Sequence, residues 1–259
     1  MAGLSDIVTG ARVAEDRLVA SIPDNWMQGR TAYGGLSAAL AVEATNRLIP
    51  DLPALQTALI AFVGPLAGTV SVRPQLLRRG RTAAFVQADV EGEGGVGLRA
   101  TLFFKQATPS EVDHDVRTMP DVPPPEDCKR VDHKMPPEFF GHRLEFRFAM
   151  DERTADVPTF LRWVRLRERG IFHPAVELIA IGDALPPAAM SIMPRQGPIS
   201  STTWSVNILA EQPGTRDGWW LLRSTSDHTR GGFSSQIMDI WNTDGVQIAS
   251  GMQGVAIYV

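Results

Sequence analysis

Apolar positions between Gly34 and Leu48, in GGLSAALAVEATNRL, recur at helical spacing: Leu36, Ala39, Leu40 and Ala44 share a face, and Pro50 stops the run. The spacing predicts a helix over 34–48. Its surface is dominated by small residues, so something must pack very close to it. Before it, RLVASI (17–22) predicts a short strand and NWMQGRTAYGG a polar, glycine-rich loop. After it, alternating runs predict strands over Gln56–Val63, Thr69–Arg78, Ala83–Glu91 and Gly97–Lys105, with GPLAG, RGR and GEGG as the breakers. A helix followed by a strand meander predicts a sheet wrapped around one helix.

From Gln106 the pattern dissolves into a segment dense in proline and charge, which predicts a linker over 107–137 with little regular structure. The plan then repeats. Strands are predicted over 142–150 and 159–168, a helix over 173–189, and strands near 202–210, 218–226, 232–242 and 246–258. The halves also correspond in detail. LLRRGRTAAFVQADV parallels LLRSTSDHTRGGFSSQIMDI, and GGVGLRATLFF parallels DGVQIASGMQGVAIY. This is an internal duplication of units of about 120 residues. The expected class is therefore α+β, with an N-terminal unit over 1–106 and a C-terminal unit over 138–259.

Hydrophobic residues make up 44% of the 259 and charged residues 21%, enough for a sizeable core. The net charge of -4 favours neither nucleic acid nor an anionic membrane as a partner. Cys128 is the single cysteine, so no intrachain disulfide can form, which fits a reducing cytoplasm. MAGLSDIVTGARVAED lacks a basic stretch followed by an apolar one, so no secretory leader is expected, and no apolar run is long enough to span a bilayer.

Several kinds of chemistry find no motif. There is no GxxxxGK[ST], no HExxH and no GxSxG. GEGGVG (92–97) sits between two predicted strands and reads as a hairpin turn, not a dinucleotide loop. The histidines, His114, His133, His142, His173 and His228, do not pair at ligand spacing, so no metal site is expected. Two basic clusters, LRRGR (77–81) and RWVRLRER (162–169), fit solvated strand edges or contacts to phosphates.

The last predicted strand raises a sharper question. Side chains alternate between two faces, so Gln253 shares a face with Val255, Ile257 and Val259 unless a bulge at Gly251 or Gly254 shifts the register. A buried glutamine needs hydrogen-bond partners.

Four stretches together resemble acyl-CoA thioesterases of the TesB type. AYGGLSAAL resembles the family's FGG helix start, RWVR its WxR strand, LIAIGDALPPA its SD helix segment and DGVQIASGMQG its DGxLVASxxQEG ending. Their order and spacing match over nearly the whole chain. The resemblance implies a double hotdog: two tandem units, each a long helix wrapped by a curled antiparallel sheet. It implies hydrolysis of an acyl-CoA to free acid and CoA, with no metal and no cofactor. It also implies self-association as a homodimer or larger. The family's aspartate falls on Asp183 and its glutamine on Gln253. Its threonine falls within GPISSTTWSVNIL, best on Ser201 and next on Ser200. The family's DHSMWFHRP is degraded here to TTWSVNILAEQP, and the glutamate of QEG is missing.

On this reading Asp183, desolvated near the end of an apolar helix, is the candidate general base. Ser201 and Gln253 would fix the water's direction. Gly34 and Gly35, at a helix start with free N–H groups, are candidates for the oxyanion site. Each residue also has a plainer role: Asp183 as a helix terminator, Gln253 as a satisfied core amide, and Gly34-Gly35 for close packing. A binding protein with little turnover is the competing function. A hydratase or dehydratase ranks third, because His173 lies nearly three helical turns before Asp183, too far for a shared site.

Overall fold

The computed structural model describes residues 2–132, 134–152, 155–170 and 172–259. His133 lies outside them. A short helix, α1 (Leu4–Gly10), opens the chain and buries Leu4, Ile7 and Val8. Two strands follow, β1 (Arg12–Ala14) and β2 (Arg17–Ile22), then a small hairpin of β3 (Met27–Gln28) and β4 (Thr31–Ala32). Next come α2 (Gly34–Leu48) and the meander β5 (Leu55–Phe62), β6 (Gly68–Arg79), β7 (Ala83–Gly92) and β8 (Gly95–Lys105). The second half contains β9 (Leu144–Phe148), β10 (Thr159–Leu166), α3 (Pro174–Gly182), β11 (Ile199–Ile208), β12 (Trp220–Arg230), β13 (Phe233–Asn242) and β14 (Gln247–Ile257).

α2 and β2 span the residues that the apolar pattern predicts, and the meander strands β5 to β8 lie within two residues of theirs. Two helices differ. α1 was not foreseen. The helix expected over 173–189 is only the nine residues of α3, so just one half has a long helix. The local chemistry explains the early stop. Gly182 is a poor helix former, Asp183 favours a cap, and Pro186 drives Leu185 out of the helical region.

Twelve strands form one sheet in the order β1-β2-β6-β7-β8-β5-β11-β14-β13-β12-β10-β9, and every neighbouring pair is antiparallel. The second half therefore repeats the first in reverse. β5 pairs with β11 at the centre, from Ala61 opposite Thr203 to Thr57 opposite Asn207. The inward positions of β7 (Ala84, Val86, Ala88, Val90) and β8 (Leu98, Ala100, Leu102, Phe104) are buried, as alternation requires. α2 packs on this face against β6, β7 and β8, and α2 and α3 pack on each other. One hydrophobic core runs through both halves.

The proline-rich segment has almost no regular structure, but it is fastened down. Met119, Val122 and Cys128 cover Trp163, Trp219, Leu221 and Trp241 on the outer face of the second half. Trp163 Nε1 donates to the carbonyl of Pro123 at 3.0 Å. Arg117 donates to the buried Asp239 carboxylate at 2.7 Å and to Ser250 Oγ at 2.9 Å. No described helix is long and apolar enough to cross a membrane.

Candidate active site

α3 is apolar nearly throughout, with Val176, Leu178, Ile179, Ala180 and Ile181 buried, and it ends with Asp183 as its C-cap. The start of α2 meets this end. Tyr33, the N-cap of α2, stacks flat on Phe140 with ring centroids 3.8 Å apart and donates its hydroxyl to the carbonyl of Ala180 at 2.8 Å. That bond satisfies one of the carbonyls left free by the end of α3. The approach requires glycine. A Cβ on Gly34 would lie 2.6 Å from Asp183 Oδ2 and 2.8 Å from the Phe62 ring. A Cβ on Gly35 would lie 2.5 Å from Tyr33 and 2.7 Å from the carbonyl of Ala180.

Gln253 lies on β14, opposite Trp204 of β11 and Gln236 of β13. Its inward register holds, and it is 3% exposed. The irregularity falls on β11 instead, between Ser201 and Thr203. The amide's partners are two side chains. Gln253 Nε2 donates to Asp183 Oδ1 at 2.8 Å, and its Oε1 accepts from Gln236 Nε2 at 2.7 Å.

Asp183 is partly exposed, yet its carboxyl is pushed up from 3.8 to about 7. Burial of the carboxylate is the main cause, opposed by the Gln253 bond and by a bond from the Gly35 backbone N–H. An aspartate poised near neutrality can take up a proton at physiological pH. Tyr33 is driven well up by its burial and by the nearby Asp183, so it stays neutral.

Asp183, Gln253, Gly34 and Gly35 thus converge where the end of α3 meets the start of α2. Gly35 spends its N–H on Asp183, which leaves Gly34 as the freer candidate for an oxyanion. Ser201 pairs with Val255 and so shares the sheet face of Gln253. Ser200 is exposed and donates its hydroxyl to the carbonyl of Ser201 at 3.3 Å. His173 is the N-cap of α3, at the opposite end from Asp183. Among the described residues no group of His, Cys, Asp or Glu is suited to a metal ion. The basic cluster at 162–169 is largely spent internally: Arg162 is bidentate on Glu152, and Arg165 holds Glu145 while stacking on Trp219.

Gln236 was missed from sequence. It is wholly buried on β13, and its only available signal was a polar residue at an inward position between Ser234 and Met238. The first half lacks its equivalent. Counting inward pairs from each hairpin, Gln236 opposite Gln253 corresponds to Val86 opposite Leu102. Counted from the helix starts, Asp183 of α3 corresponds to Glu43 of α2, a buried side chain engaged by Arg47.

Solved structures similar to this chain cover nearly all of it. A hot dog fold protein from Alicyclobacillus acidocaldarius has a TM-score of 0.88 at 21% identity, covering 100% of this chain and 99% of its own. A protein proposed to be a thioesterase II from Thermobifida fusca YX has a TM-score of 0.84 at 23% identity, covering 98% and 97%. The tesB protein of Mycobacterium avium subs paratuberculosis has a TM-score of 0.80 at 18% identity, covering 99% and 100%. At these identities the likeness concerns the fold. No curated protein sequence matches significantly. Residues 22–105 match the acyl-CoA thioesterase N-terminal domain and residues 120–257 the acyl-CoA thioesterase C-terminal domain, and this chain belongs to the acyl-CoA thioesterase family.

Proposed function

We propose that the chain is a double hotdog enzyme that hydrolyses an acyl-CoA thioester with Asp183 as general base. What carries this reading is the contact of a carboxyl raised to about 7 with the Gln253 amide, at the meeting of two helix ends. In the proposed step Asp183 takes a proton from a water as the water's oxygen attacks the thioester carbonyl. The carbonyl electrons move onto oxygen, where the Gly34 N–H is the candidate donor. Collapse breaks the C–S bond, and the departing CoA sulfur recovers the proton from Asp183. Gln253 holds the carboxylate, and Ser201, on the same sheet face, is the candidate hydroxyl that orients the water. General base catalysis contributes on the order of 10²–10⁴-fold.

The test is release of CoA thiol from short, medium, long and aromatic acyl-CoA esters, with Asp183→Asn as control. Turnover that disappears in the variant is the expected result. Turnover that survives it removes Asp183 from the mechanism. Ester binding without turnover in the wild type would favour the binding protein instead.

We also propose self-association through the outer face of the sheet. Leu59, Phe233 and Met252, all exposed, line a groove of about 510 Å³ there that spans both halves. A light-scattering mass near 28 kDa would contradict this, since one chain weighs 28.2 kDa.

A further inference from the structure

We propose that Gln236 is a positioning residue that fixes which end of the Gln253 amide faces Asp183. The inference rests on the reading of Asp183 and Gln253 given above.

A glutamine amide has two ends of similar size and opposite hydrogen-bonding character. On shape alone Gln253 could turn either end to the carboxylate. Three bonds in series remove that freedom. The backbone N–H of Ala188 can only donate, and Gln236 Oε1 accepts from it at 2.9 Å. Gln236 Nε2 must then point the other way, where it donates to Gln253 Oε1 at 2.7 Å. With its oxygen engaged, Gln253 is left with Nε2 to donate to Asp183 Oδ1 at 2.8 Å. The direction of the whole chain is therefore set by a backbone group that cannot flip. Ala188 opens a single turn, Ala188–Ile192, just after Pro186-Pro187, so its N–H has no helical carbonyl to bond. Gln236 is 0% exposed, and water does not compete for it.

The consequence falls on Asp183. A donor at its carboxylate favours the ionised form, whereas an amide oxygen turned toward it would repel that form. The groups facing this carboxylate are the Gln253 amide from β14, the Gly35 N–H from α2 and the neutral Tyr33. Gln236 touches none of the reacting atoms and acts only through Gln253. The first half supports the pairing of roles, since both positions are apolar there, as Val86 and Leu102.

The test follows the Asp183 carboxyl carbon by ¹³C NMR across pH, assigned with Asp183→Asn, in the wild type, Gln236→Leu, Gln236→Met and Gln253→Leu. The expected result is a midpoint raised by about one pH unit in each variant, the effect of a single charged hydrogen bond. The double variant Gln236→Leu/Gln253→Leu should rise no further. In kinetics the acid limb of kcat/KM should move upward by the same amount with KM unchanged. A midpoint that moves in Gln253→Leu and stays at the wild-type value in the folded Gln236 variants overturns the proposal, as does a Gln253→Leu midpoint that does not move. The catalytic reading is judged separately. Absence of turnover in the wild type would sink that reading, while the NMR titration would still decide the role of Gln236.

Discussion

Asp183 is held at a thermodynamic cost that its own titration should reveal. Its carboxyl goes from an ordinary 3.8 to about 7 in the folded protein, chiefly through burial. Between these values the native state binds a proton that the unfolded chain has released, so stability falls as pH rises through that window. The wild type should therefore lose stability between about pH 4 and 7 relative to Asp183→Asn, whose side chain does not ionise. Melting temperatures at pH 5 and pH 8 check this: the variant should gain on the wild type at the higher pH. With Asp183 as the proposed base, the acid limb of kcat/KM in the wild type should lie near pH 7, because a general base must be ionised to act. Gly34 gives a second residue-scale prediction. Its missing Cβ leaves space that Asp183 Oδ2 and Phe62 occupy, so Gly34→Ala should lower kcat at least about ten-fold while the fold survives. Wild-type turnover in that variant would show that the contact of the two helix ends is loose. Asp183 and Gln253 were legible in the sequence through family resemblance, and the inward face of Gln253 through alternation alone. The resemblance implies that they share one site around a water, but their direct hydrogen bond is not legible, since it joins a helix end to a strand 70 positions away. Gln236 carried no motif at all, and only the β13–β14 register brings it beside Gln253.

The elements show why some boundaries could be read and others could not. α2 was found to the residue because its buried stripe and Pro50 are both local signals. α3 was overextended because apolar residues continue past Gly182 in Ala184, Leu185, Ala188 and Ala189, which are buried without being in that helix. Burial produces an apolar run in either case, and the chain ends the helix through Gly182, Asp183 and Pro186 instead. The proline-rich segment has the composition of a linker, yet it works as a strap. Arg117 from the strap and Arg223 from β12 grip opposite oxygens of Asp239, which is 1% exposed, and Gln247 donates to it at 2.8 Å. Removing one arginine leaves a buried carboxylate short of a partner, a costly state. Arg223→Met should therefore destabilise the protein by about 2–3 kcal/mol, whereas Arg117→Met, losing a half-exposed partner, should cost less. Denaturant unfolding of both variants checks the order. Equal losses would mean that the strap holds Asp239 as firmly as the sheet does.

At the scale of the molecule, two halves of mirrored strand order meet at the candidate site. The site is composite: Asp183, Gln253 and Gln236 come from the second half, and the glycine-rich start of α2 comes from the first. The reciprocal arrangement would need a free carboxylate on α2 and amides on β7 and β8. The matching carboxylate, Glu43, is buried and engaged by Arg47, and the amide positions hold Val86 and Leu102, both 0% exposed. Apolar side chains at those two positions can neither hold a carboxylate nor orient a water. The repeat itself was visible in the sequence, but this asymmetry was not, because matching positions are defined by strand register and not by the order of motifs. The expected stoichiometry is thus one acyl thioester per chain. Isothermal titration of Asp183→Asn with an acyl-CoA should give one site per 28.2 kDa, since on the proposed mechanism the variant binds the ester without hydrolysing it. Two equivalent sites per chain would mean that the first half binds through a surface unrelated to the Asp183 arrangement. The same logic makes the C-terminal half inadequate by itself. Without α2 it loses the Gly35 N–H at Asp183, and without β5 it exposes the edge of β11, so its separate expression should yield neither turnover nor a stable monomer.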